Sequence, residues 1–229
     1  MRRRTLAWGL AALSLSGCGL ISSNVDDFQL SLPEKEFAVD TTSWGLPTGT
    51  TVPDPGSCSS DDFCAAAAAL CSAGDCAGTC STESKCQLDA TVSLWRTVDM
   101  ATERPELKTI DNQAGVRVTI KTIDFTIDEN TLNVATPVLK IYVGPESATT
   151  TDPPAVWVGH IDPLPPKSTT TADIKFDNGG DAVMSQYFSD YTTPFHIIVA
   201  GDLVVKAGDL LPEGRVSGRI TGTAVADAL

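Results

Sequence analysis

Acid/base or nucleophilic chemistry near neutral pH would fall to the two histidines, His160 and His196, with carboxylates such as Asp162 and Asp202 as partners. Both histidines sit in strand-like runs, His160 on a face with Val156 and Val158, His196 on a face with Ile198. That setting predicts satisfied core or edge histidines rather than catalytic bases. The spacings that mark a nucleophile elbow, a zinc-protease helix, a dinucleotide fold or a phosphate loop are all missing. The run Asp177-Asn178-Gly179-Gly180-Asp181 is oxygen-rich, and Asp177, Asn178 and Asp181 could hold calcium. It equally fits a plain turn feeding a helix, because the alternating carboxylates and closing glutamate of a calcium loop are missing. Asp124, Asp128 and Glu129 read as a solvated strand end. The expectation is a protein that is no enzyme and holds no metal or dissociable cofactor.

Of seven cysteines, Cys58, Cys64, Cys71, Cys76, Cys80 and Cys86 crowd into one short window, as in a disulfide framework. Zinc fits less well, since no Cys-x-x-Cys pair occurs and both histidines lie far off. The same missing spacing argues against a redox-active site. Asp61–Cys71 reads as a helix built on Ala65 to Ala69, with Ser59 as cap and Asp62 three residues on. Asp61 and Asp62 also complement its positive end. On such a helix Cys64 and Cys71 stand ~10 Å apart, beyond the ~7 Å Cα limit of a disulfide. Six cysteines can pair in fifteen ways; the sets with a Cys64–Cys71 bond drop out and the rest stay open. Gly74 and Gly78 mark a turn over Ser72–Gly78. An antiparallel return of the chain favours nested bonds: Cys71–Cys76, Cys64–Cys80 and Cys58–Cys86. Such staples serve to hold a segment too small for its own core.

The seventh cysteine has a different setting. Arg2, Arg3 and Arg4 precede an apolar run, Leu6 to Leu15, broken only by Gly9 and Ser14. This is the layout of a signal peptide, and the run is shorter than the ~20 residues a membrane-spanning helix needs. It ends in Leu15-Ser16-Gly17-Cys18, which resembles the lipobox of bacterial lipoproteins. The resemblance implies cleavage before Cys18, a thioether-linked lipid on its sulfur and acylation of the new amine. Gly19 in place of aspartate favours the outer membrane in that family. Two or three acyl chains suffice for stable anchoring, at ~0.8 kcal/mol per buried methylene. Cys18 would then tie the protein to the bilayer of the bacterial envelope with its covalent lipid as the only prosthetic group. The tether to Asn24 reaches at most ~25 Å, so the body would sit near the lipid surface.

Charge narrows the partners. The formal charge is −13, and loss of the three leader arginines takes it to −16. So acidic a surface excludes nucleic acid as a main ligand and offers no basic patch for anionic headgroups. The expected partner beyond the bilayer is an envelope protein.

The remaining chain is organised in short strands. Val116, Val118 and Ile120 alternate with polar residues, but the next apolar set is Ile123, Phe125 and Ile127. This change of phase predicts a bulge, or a change of sheet, between Ile120 and Ile123. Further strands are expected at Leu139–Val143, Val156–Ile161, Ala172–Phe176, Phe195–Val205 and Arg215–Ala224, the last with Val216, Gly218, Ile220, Gly222 and Ala224 on one side. Phe28, Leu30, Leu32, Phe37 and Val39 place residues 27–41 in the same sheet system. One helix is expected at Asp181–Tyr191, carried by Val183, Tyr187 and Tyr191 and stopped by Pro194.

The pieces Glu129-Asn130-Thr131-Leu132-Asn133-Val134, Leu139-Lys140-Ile141-Tyr142-Val143-Gly144 and Pro165-Pro166-Lys167-Ser168-Thr169 are similar in order to the water-stress/LEA-2 immunoglobulin-like domain over residues 122–224. The Asn-Pro pair of that family is absent here. The resemblance implies a sandwich, and a stress-protective or apolar-ligand role. The fold expected is mainly β: an antiparallel immunoglobulin-like β-sandwich with one short helix and a small disulfide-stapled helical excursion. Its layout is a leader at 1–17, a lipidated tether at 18–26, N-terminal strands and a Pro/Gly-rich connector at 27–57, the Cys-rich segment at 58–88 and the sandwich at 89–229. The function expected is binding, scaffolding or adhesion in the envelope. An LEA-like protective protein or a carrier of small apolar ligands is the alternative, and a continuous apolar cavity between the sheets would favour it.

Overall fold

Period-2 alternation gives each long strand one apolar face, and the chain buries these faces by laying one antiparallel sheet over another. The computed structural model describes residues 28–72, 75–105 and 116–228; Cys18, its leader and Gly74 lie outside them. In chain order the elements are β1 (Phe28–Ser31), β2 (Lys35–Asp40), 3-10 turns at Thr41–Trp44 and Asp61–Cys64, α1 (Ala65–Ala68), β3 (Asp75–Cys80), β4 (Cys86–Val98), α2 (Met100–Glu103), β5 (Val116–Asn130), β6 (Leu139–Pro145), β7 (Val156–Ile161), β8 (Thr171–Asp173), β9 (Lys175–Phe176), α3 (Gly180–Ser189), β10 (Phe195–Lys206) and β11 (Arg215–Ala228). One sheet runs β1-β11-β5-β8, with β2 also paired to β11; the other runs β3-β4-β10-β6-β7-β9. The result is the β-sandwich with a disulfide-stapled segment that the sequence predicts.

The alternation along β11 holds as read: Ile220 and Ala224 are buried in the core and Val216 packs against it. The phase change in β5 is a bulge, because Ile120 faces Ala224 and Thr122 faces Thr223, leaving Lys121 with no opposite residue. Facing strands from the two sheets supply the core, with Ile123, Phe125 and Ile127 set against Ile141, Val143, Ile197 and Val199. A second, smaller cluster of Val52, Ala67, Leu88, Val205 and Leu211 sits under the stapled segment.

Helix α3 differs from expectation in its buried face. It starts at Gly180, ends at Ser189, and buries Gly180, Met184 and Phe188; Tyr191 lies beyond its end. Val183 and Tyr187 flank that face, half-buried. Gly180 sets the seating, since a Cβ there would stand 1.8 Å from the Val158 carbonyl oxygen of β7. Only glycine lets the helix rest directly on that strand.

The stapled segment departs further. The helix expected at Asp61–Cys71 is a 3-10 turn followed by the single turn α1, and Ser60, not Ser59, precedes it without a side-chain cap bond. Asp61 is engaged elsewhere: its carboxylate accepts the backbone N–H of Cys80 at 2.7 Å. One turn of alanines is too short to hold itself as a helix, so the bridges and β3 fix the segment. The expected turn at Ser72–Gly78 gives way to strand β3, paired with β4 along Asp75–Cys80. β4 in turn runs unbroken through the boundary expected between residues 88 and 89. Cys71–Cys76 forms as expected, but the other two bonds are Cys58–Cys80 and Cys64–Cys86. They replace the nested Cys64–Cys80 and Cys58–Cys86 because the β3–β4 hairpin sets Cys80 directly opposite Cys86.

Candidate functional site

Where β2 passes into the turn Thr41–Trp44, the two sheets leave an apolar slot with a cavity volume of about 70 Å³. Phe37 and Val39 of β2 line it with Val92 and Leu94 of β4 and Val199 and Leu203 of β10. Trp44 and the loop stretch Leu132 to Pro137 complete the wall. Gly201 and Gly218, also in the lining, contribute no side chain to fill the gap. Leu94 packs against the main core and Leu203 against the smaller cluster, so the slot separates the two.

Its two threonine hydroxyls are bonded to backbone. Thr41 Oγ1 donates to the Gly214 carbonyl at 3.0 Å and accepts the Gly214 N–H at 3.0 Å. Thr136 Oγ1 accepts the N–H of Leu164 at 2.9 Å. A ligand in the slot therefore meets hydrocarbon. For scale, an apolar cavity of ~150 Å³ takes up benzene, and a water needs only ~10–15 Å³. A volume of about 70 Å³ suits a slim alkyl group better than a ring.

No protein-family model matches the chain, and no curated protein sequence matches it.

The histidines behave differently from each other. His196 is buried, with Nδ1 donating to the Ala148 carbonyl at 2.7 Å; Nε2 is then free to accept the Thr97 hydroxyl at 3.1 Å. Its ring stacks on Trp95 at 4.4 Å between centroids. It is a satisfied histidine, and Asp202 lies apart from it, paired with Lys140 at 3.1 Å and accepting from Thr91 at 3.2 Å. His160 is gathered with acids: Nδ1 meets Asp177 Oδ2 at 2.5 Å and Nε2 lies 3.7 Å from Asp162 Oδ1. Lys175 also binds Asp162 and holds its carboxyl below the usual range. This cluster sits on the β7–β9 edge, and none of its members lines the slot.

Asp177 is thus directed at His160. Asn178 and Gly179, both left-handed at φ 49° and 78°, turn the chain into α3, where Asp181 is exposed in the first turn. The run acts as the turn feeding a helix. Among the described residues, the one grouping with metal-ligand spacing is Cys58, Cys64 and Cys86, and all three sulfurs are in disulfides.

At the expected solvated strand end, Asp128 pairs with Arg219 at 3.0 Å and Glu129 with Arg215 at 3.6 Å. Asp124 instead faces Asp173 across β5 and β8. Partial burial, then a hydrogen bond and repulsion from Asp173, raises the Asp124 pKa above the usual carboxylate value. A folded pKa above the unfolded one favours folding below the unfolded value, and the benefit is lost as pH rises through the folded one. Asp124→Asn should therefore stabilise the protein by a few tenths of a kcal/mol at pH 7. The gain should fade to nothing as pH falls below ~3.9, and thermal melts of both proteins across that range test it. A variant that melts lower than the parent at pH 7 would refute the reading.

Residue by residue, the lining was readable as strand faces, apart from Val92 and Leu94 on the unforeseen β4. The unread signal was Leu132-Asn133-Val134-Ala135-Thr136-Pro137-Val138, a connecting stretch more apolar than surface loops are, and Leu132 and Thr136 are buried in it.

Proposed function

We propose that this is a lipid-anchored, non-catalytic binding protein of the bacterial envelope whose inter-sheet slot takes the end of an alkyl or acyl chain. The slot carries the proposal: hydrocarbon on every wall, its lining threonines committed to backbone partners, and a width set by two sheets ~10 Å apart. Leu15-Ser16-Gly17-Cys18 supports the place, since a tether this short keeps the body close to a bilayer, where chain ends are abundant. The carrier role is favoured over a purely scaffolding one because a scaffold has no use for an unfilled gap in its core.

The test uses the chain from Asn24 onward and a dodecyl-chain probe carrying an environment-sensitive fluorophore at its polar end, displaced by dodecanoate. Saturable, competitive binding is expected. Val92→Phe should fill the gap, keep or raise the melting temperature, and exclude about two methylenes of ligand. At ~0.8 kcal/mol per methylene this weakens binding roughly fifteenfold. Unchanged affinity in the phenylalanine variant, or no displaceable binding by the parent, would refute the proposal.

A further inference from the structure

The outer face of the six-stranded sheet holds a row of rings that the slot does not use. Trp95 on β4 faces Ile198 on β10, Ile198 faces Tyr142 on β6, and Tyr142 faces Trp157 on β7. The four residues are successive partners over four strands spaced ~4.8 Å apart, with a bulge in β7 where Trp157 meets Tyr142. Alternation puts them outside, because Ile197, Val199, Ile141 and Val143 fill the core. Ile198 is 0% exposed although it faces outward, while Trp95 and Trp157 on either side of it are each 42% exposed.

Both indoles are held in place before any ligand arrives. Trp95 lies on the ring of His196, itself 2% exposed. The Nε1–H of Trp157 donates to the Gly159 carbonyl at 2.9 Å. Binding on rings already fixed loses little side-chain entropy. Along one side of the row runs a polar rim: Ala200 sits between Ser93 and Lys140, and Lys140 pairs with exposed Asp202. On the other side the chain around Ala148 folds over His196 and Gly144. The surface is a shallow trough with an aromatic floor and a rim that offers ammonium, hydroxyl and carboxylate groups with no net charge.

A ligand for this trough must be flat, apolar on its faces, rich in donors and acceptors at its edges, and uncharged. A polyanion is repelled by a chain of charge −13. A strand would add at a sheet edge, not on its face. A polyproline segment can lie on aromatic rows but brings no N–H for the Asp202 carboxylate. Pyranose rings meet every condition, with C–H faces for the indoles and hydroxyls for Asp202, Lys140 and Ser93. We propose that Trp95, Tyr142 and Trp157, ranged on either side of buried Ile198, form a binding platform for an uncharged, equatorially linked pyranose chain.

The test is titration of chitohexaose and cellohexaose into the full chain held in phospholipid nanodiscs, followed by calorimetry and tryptophan emission, with decaproline as the competing probe. Saturable binding of at least one hexasaccharide is expected, with a change in indole emission. Trp157→Ala should weaken it about tenfold, as loss of an aromatic anchor does. Trp95→Phe, which keeps a ring over His196, guards against a fold defect and should weaken binding less. Asp202→Asn should also lower affinity for the sugar. The proposal is overturned if neither hexasaccharide binds, if Trp157→Ala binds as the parent does, or if decaproline alone binds with that tryptophan dependence.

Discussion

Truncating Phe195 to alanine should lower folding stability by about 3–5 kcal/mol, the usual range for a fully buried phenylalanine, and denaturant unfolding will measure it. Phe195 opens β10 and is 1% exposed. Its ring meets Phe188 edge-on at 5.0 Å and Tyr187 at a tilt, 5.3 Å away. These contacts clamp α3 to the six-stranded sheet, and edge-to-face pairs add about 0.5–1.5 kcal/mol each beyond burial. The site cannot collapse around an alanine, because β10 is paired on both sides, to β4 and β6, at that very residue. A loss below about 1 kcal/mol, outside that range, would mean that α3 is not seated as described. The slot lies further along β10, so the variant's binding of the dodecyl-chain probe, measured where it remains folded, should match the parent's.

The sandwich was legible where one sheet face is buried and the other wet, because a two-residue period then has a single solution. β11, and the bulge at Lys121 that its partner strand needs, could be read in this way. β4 could not: Leu88, Ala90, Val92 and Leu94 alternate as well as any strand, but the cysteines before them suggested a self-contained segment. Alanine-rich Ala65–Ala69 signalled a helix by propensity, and tertiary links overrode it. The buried face of α3 is hidden in the sequence because Val183, Tyr187 and Tyr191 are the more obvious stripe, whereas Gly180 carries no hydrophobic signal at all. The slot and the indole row were illegible for a shared reason. Both depend on which residues stand opposite one another across three or more strands, and composition along a single strand carries no trace of that register.

Removing the Cys64–Cys86 bond by paired alanine substitution should destabilise the fold by about 3 kcal/mol on loop-closure entropy alone, against about 2 kcal/mol for Cys71–Cys76. The difference follows from loop size: with Cys58–Cys80 in place the path from Cys64 to Cys86 runs through that bridge and spans about a dozen residues, against a separation of 5 for Cys71–Cys76, and a longer closed loop restrains the unfolded chain more. Melting in denaturant with the other bridges intact gives both values, and an inverted order would refute the entropic account. Cys58–Cys80 closes an equal separation of 22 and should match Cys64–Cys86 in size. The connectivity is open to the same experiment by peptide mapping without reductant, which should recover Cys58 joined to Cys80. The nested alternative uses the same four sulfurs with partners exchanged, and three of them already lie within 4.8 Å of one another. What separates the two arrangements is backbone. Cys58 donates its N–H to Ser84 in the hairpin turn, whereas Cys64 lies under β3, where Gly78 leaves room for its carbonyl; a Cβ there would stand 2.2 Å from that oxygen. Gly78→Val should therefore push Cys64 off the strand and release mixed pairings on oxidative refolding, while Ala77→Val, at the exposed neighbouring position of β3, should leave the pairing as it is.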